Sequence, residues 1–167
     1  MRFFGLALAA SAFVLGACGG GDNAATTDDT TSTAAAAEAP AAGAAAATGT
    51  ATAAPVTGEV HEVKMLGDAQ GYRFEPAELT VKPGDGVKFI MVSGGPHNVS
   101  FTNVPDAAKA QLQANIPNPQ GDLTTAYVTN PNEEFTISFA NVPAGTYNYT
   151  CVPHSAMNMH GVITVQQ

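Results

Sequence analysis

The chain has 167 residues and a formal charge of −8, with 45% hydrophobic residues, no Trp and two cysteines. Six Lys and Arg stand against 14 Asp and Glu and nowhere form a stripe, so the electrostatic footprint of a nucleic-acid-binding protein is absent. Cys18 and Cys151 lie in regions of unlike character, which excludes a disulfide framework and leaves each thiol to be explained separately.

Residues 1–18, MRFFGLALAASAFVLGAC, have a basic start at Arg2 followed by an apolar run over residues 3–15 and then small residues. The run is too short to span a bilayer comfortably, so it is expected to be an export signal rather than a permanent helix. Leu15-Gly16-Ala17-Cys18 resembles the lipobox of bacterial lipoproteins. The resemblance implies acylation of Cys18 and anchoring to a membrane on the periplasmic or cell-surface side. Gly19 at the next position resembles outer-membrane sorting.

Residues 19–58 are mostly Ala and Thr with scattered Gly, Pro and Asp, with no aromatic residue and one larger aliphatic, Val56. Such a segment has no apolar stripe to bury and is expected to be a disordered linker. As a flexible coil it would span about 35 Å root-mean-square.

From Glu59 the pattern changes, and residues 59–167 are expected to form one folded domain. Five basic residues (Lys64, Arg73, Lys82, Lys88, Lys109) against ten acidic ones leave it at −5. In chain order, EVHEVKML, YRFEP, ELTVKPGD, GVKFIMV, HNVSF, EFTISF, TYNYTC and GVITV read as strands. Glu78 to Val81 and Phe135 to Phe139 alternate apolar and polar residues, as half-buried strands require. KPGDG, SGGP and VPAG between them are turn chemistry. One helix is expected from Asp106, as a cap, to Asn115, before Pro117 stops it. The spacing predicts an all-β, antiparallel Greek-key β-sandwich of about seven to eight strands with one short helix. Met65 and Met91 fall on strands and read as core; His61 and His160 read as solvated.

The strongest chemical signal is YNYTCVPHSAMNMHGV, where Cys, His and Met converge within nine residues, Cys151 to Met159. A strand ending at Cys151, a tight loop carrying His154 and a return strand near Gly161 aim thiolate, imidazole and thioether at one spot. His97, from another loop, supplies a second imidazole. Two imidazoles, one thiolate and a weak thioether form the site that cycles copper between two oxidation states.

Residues 71–167 resemble the plastocyanin, pseudoazurin and amicyanin group of cupredoxins, the type-1 blue copper proteins. The resemblance rests on Cys151, His154 and Met159 in the pattern C-x2-H-x4-M, on Pro96-His97-Asn98-Val99, on EPAELTV and on PAGTY. It implies one copper ion held by His97, Cys151, His154 and Met159. Met157 is a rival for the thioether position; pseudoazurin-like loops of the form H-x-A-M-x-M use the second Met, which favours Met159. Asn98 would tie the two ligand loops together, and Pro153 would shape the approach to His154. Electrons would pass through an exposed edge of His154 and an apolar patch of Pro153, Ala156 and Met157. The partners would be redox proteins of a respiratory or photosynthetic chain, met by a monomer. Thr150 stands where plastocyanins usually have Tyr, which removes an aromatic route beside Cys151, and the segment 104–125 is longer than its plastocyanin counterpart.

Two other functions are less well served. A copper chaperone favours an open site rich in Met or Cys, whereas one thiol here sits among sheet residues. An oxidase or reductase centre needs further His clusters, and only His61 and His160 remain.

Overall fold

A computed structural model describes residues 51–167. Cys18, the expected signal and most of the expected linker lie outside the described residues. Eight strands form two four-stranded sheets: β1 (Val60–Asp68), β2 (Gly71–Glu75), β3 (Glu78–Val81), β4 (Gly86–Met91), β5 (Ser100–Thr102), β6 (Glu134–Ser138), β7 (Gly145–Thr150) and β8 (His160–Val165). One sheet has the order β2-β1-β4-β6 and the other β3-β8-β7-β5. This is the cupredoxin-like sandwich expected, with one difference. The pairs β1–β4 and β3–β8 run parallel, so the sheets are mixed. The chain passes from β2 to β3 through Pro76 and Ala77 and changes sheet there, which lets β4 return beside β1 in the same direction.

The core between the sheets is aromatic. Tyr149 packs against Phe74 (ring centroids 4.7 Å apart), Phe89 (5.6 Å) and Phe101 (5.9 Å). Met65 and Met91 are buried with them. Gly161 is required opposite Tyr149, because a Cβ there would overlap the phenol ring.

Helix α1 (Asp106–Asn115) has the bounds expected, but Asp106 is its first residue rather than its cap. Pro105 occupies the cap position without a side-chain bond, and Asp106 instead accepts from Lys109 Nζ at 2.6 Å. The segment 104–125 covers one flank. Val104, Ala108, Leu112, Ile116 and Leu123 are buried, and Leu123 and Thr125 bond the backbone of Phe101 and Val99. The edge of β5 is thereby closed to pairing with other chains.

The chain engages the domain before Glu59. Thr57 and Gly58 donate backbone N–H to Gly84 O at 2.9 and 2.8 Å, Ala54 N–H donates to Asn115 Oδ1 at 2.9 Å, and Gln111 Nε2 donates to Thr52 O at 2.9 Å. This strap over residues 52–58, expected to be linker, lies at the end of the sandwich where β1 and β4 begin. The loops that follow β4 and join β7 to β8 lie at the other end.

His61 also departs from expectation. It is half-buried, and its Nε2 lies 3.1 Å from Asp85 Oδ2. Asp85 further accepts backbone N–H groups of Glu59 and Lys82, each at 2.9 Å.

Candidate metal centre

Cys151 directly follows β7, and its side chain is fully buried beneath the loop that leads to β8. Its N–H donates to Met159 O at 3.1 Å and its C=O accepts the N–H of His154 at 3.1 Å, so the loop is closed at both ends. Within the loop, Val152–Met157 forms a 3₁₀ turn with Pro153 in its first positions, where a missing N–H costs nothing. Asn158 ends the turn in the left-handed region (φ 62°), a conformation Asn tolerates. That reversal delivers Met159, wholly buried, to the head of β8.

His97 arrives from the loop after β4. Its backbone is bridged to Val128 by bonds of 3.0 and 2.9 Å. Its Nε2–H donates to Ser93 O at 2.9 Å, which leaves the Nδ1 lone pair free. His97 Nδ1 lies 3.5 Å and His154 Nδ1 3.4 Å from Cys151 Sγ. The three ligand atoms lie within 4.8 Å of one another, and all three residues are buried. Asn98 Oδ1 accepts the Val152 N–H at 2.9 Å, a bond between the two loops.

Burial sets the protonation of this cluster. It lowers His97, although the Ser93 carbonyl opposes the shift. His154 is lowered by burial and then by the proximity of His97. Both imidazoles are therefore neutral near pH 7, the form that ligates metal. Burial pushes the Cys151 thiol up, against the backbone N–H groups of Asn98 and His154, which favour the thiolate.

A thiol and two imidazole nitrogens converging in a buried cluster, with one imidazole already oriented through its other nitrogen, fit a copper ion. Residues 61–166 match the model of the copper-binding proteins of the plastocyanin/azurin family. The chain belongs to this family. Its cofactor is copper. This cupredoxin is similar to the plastocyanin of Prochlorothrix hollandica, 32% identical over 115 residues that cover 69% of this chain and 79% of that protein. It is also similar to the plastocyanin of Scenedesmus fuscus, at 35% identity over 106 residues, 62% of this chain and 97% of that one. Among solved structures it resembles a mutant plastocyanin of fern, with a TM-score of 0.51 and 28% identity over 64% of this chain and 100% of that chain.

Other residues singled out in this cupredoxin fall at the same end of the sandwich. Pro153 and Ala156 are exposed, Met157 is 53% exposed and Val152, which the sequence did not single out, 46%. The expected exposed edge of His154 is corrected: only 6% of that residue is accessible. Tyr72 covers it, the two rings stacked at 3.8 Å between centroids and 16° between planes. Tyr72 and the Ser93 carbonyl were not legible as site groups. Strand alternation fixes the face of Tyr72 but not the reach of its ring, and a backbone carbonyl leaves no mark in a sequence. His160 is exposed as expected.

Proposed function

We propose that this protein carries single electrons between redox proteins, with one copper ion held by His97, Cys151, His154 and Met159 and no substrate turned over. The observation that carries the reading is the buried convergence of His97 Nδ1, Cys151 Sγ and His154 Nδ1 within 4.8 Å at one end of a stiff sandwich. Bound copper supplies a one-electron Cu(II)/Cu(I) couple. The chain's own part is to hold the donors still. The Ser93 carbonyl fixes His97, the bond from Cys151 N–H to Met159 O closes the ligand loop, and Asn98 ties one loop to the other. Donors fixed in this way change little between oxidation states, which keeps the reorganisation that opposes electron transfer small.

Burial supports Met159 over Met157 as the thioether ligand, since Met157 faces solvent. Val152, Pro153, Ala156 and Met157 carry no charge and form a docking patch for redox partners beside His154. A lipobox-like Cys18 supports export and lipid anchoring, with the Ala- and Thr-rich segment as a tether for a monomeric head.

The test compares Met159→Ala with Met157→Ala in the copper-loaded domain by visible and paramagnetic spectra and by voltammetry. Met159→Ala is expected to shift both the spectrum and the reduction potential, and Met157→Ala neither. A shift confined to Met157→Ala reverses the assignment, and irreversible reduction of the unaltered protein contradicts the carrier function.

A further inference from the structure

The two imidazoles that face Cys151 are held by different means. His97 is anchored through Nε2 to the Ser93 carbonyl and through its backbone to Val128. His154 lacks such an anchor. Among the described residues its ring makes a polar contact only with the Cys151 thiol, at 3.4 Å from Nδ1. Its backbone also leaves helical geometry within the turn, at φ −115° and ψ 15°. What lies against the imidazole is the face of Tyr72, at 3.8 Å and 16°.

The surroundings of Tyr72 are shaped for this stack. Its cross-strand partner is Gly67, where a Cβ would fall 2.6 Å from Tyr72 Cε1. Gly94, at φ 76°, packs against the backbone of Gly67, and its Cα would lie 2.9 Å from the same Cβ. A side chain at position 67 would overlap both the phenol ring and the Gly94 backbone. Gly94 in the loop that carries His97 and Gly67 near the end of β1 therefore leave a slot in which the Tyr72 ring lies flat over His154.

We propose that Tyr72 is a positioning residue for His154. Its ring face blocks rotation of the imidazole about its side-chain torsions and keeps Nδ1 directed at the Cys151 sulfur. The inference rests on the ligand role proposed above for His154. The contact uses the ring and not the hydroxyl, so Phe serves at this position, whereas Leu and Met supply apolar cover without a plane.

The experiment compares Tyr72→Phe, Tyr72→Leu and Tyr72→Met. In the metal-free domain, NMR relaxation of the His97 and His154 rings is measured; in the copper-loaded domain, the rate of copper release to a chelator. Tyr72→Phe is expected to match the unaltered protein. Tyr72→Leu and Tyr72→Met are expected to free the His154 ring while leaving the His97 ring ordered. They are also expected to speed copper release roughly 2- to 10-fold, the factor a stacked aromatic pair is worth. Tyr72→Met keeps the comparison open if Tyr72→Leu does not fold. The proposal is overturned if His154 stays as ordered as before, if both rings loosen equally, or if Tyr72→Phe behaves like Tyr72→Leu. Failure of the unaltered domain to take up copper counts against the function proposed above, and the metal-free ring measurement still decides the role of Tyr72.

Discussion

Cys151, His154 and Met159 could be read as a cluster because a metal loop between two strands compresses its donors into a short stretch of sequence. His97 lies 54 residues upstream of Cys151 and was reached through the resemblance of its loop. Asn98, its neighbour, joins the two loops with one bond from its Oδ1, while its buried Nδ2 has no partner among the described residues. Asn98→Ala removes the acceptor of the Val152 N–H and is expected to destabilise the metal-free domain by about 1–3 kcal/mol, read from its urea midpoint. An unchanged midpoint would mean that the turn closed by Cys151 and Met159 holds itself. The residues that sequence reasoning missed, Tyr72 and Ser93, act through a ring face and a carbonyl. Neither has a spacing rule.

At the scale of elements, all eight strands were legible because each alternates or is bounded by Gly and Pro. HNVSF was the partial case. Only Ser100–Thr102 pairs as β5, since His97 is turned inward and bridges Val128 instead. Strand direction was not legible. Parallel pairing of β1 with β4 depends on the sheet change at Pro76, a tertiary outcome that no local pattern encodes. At the start of β4, Asp85 ties the start of β1 to the turn after β3 by accepting the N–H groups of Glu59 and Lys82 and facing His61. Burial alone would raise its carboxyl, but the bonds from Lys82, His61 and Glu59 outweigh it and hold the group below the usual carboxylate range. A group depressed on folding contributes stability above its unfolded value, about 3.9, and loses it as pH falls through the folded one. Asp85→Asn is therefore expected to lower stability near neutrality and to flatten its acid dependence, measured as the urea midpoint between neutral pH and pH 2. A slope unchanged by the substitution would assign the acid sensitivity to other carboxylates.

For the whole molecule, the boundary between linker and domain was misread because residues 52–58 contribute through backbone bonds, which their small side chains do not advertise. Asn115 anchors that strap, accepting from Ala54 while its Nδ2 donates to Ser138 O and Ala140 O. A chain beginning at Glu59 is expected to be about 1–3 kcal/mol less stable than one beginning at Ala51, with an unaltered copper spectrum, because the strap and the metal centre occupy opposite ends of the sandwich. Equal melting temperatures would make the strap a passive tail. The proposed one-electron carrier function rests on one copper ion held through the Cys151 sulfur. Its most direct test is titration of the metal-free domain with Cu(II), followed by visible absorption. An intense blue thiolate-to-copper band that saturates at one equivalent, bleaches and returns on reduction and reoxidation, and is lost in Cys151→Ser is the result predicted; a colourless complex, or colour that survives Cys151→Ser, would contradict it.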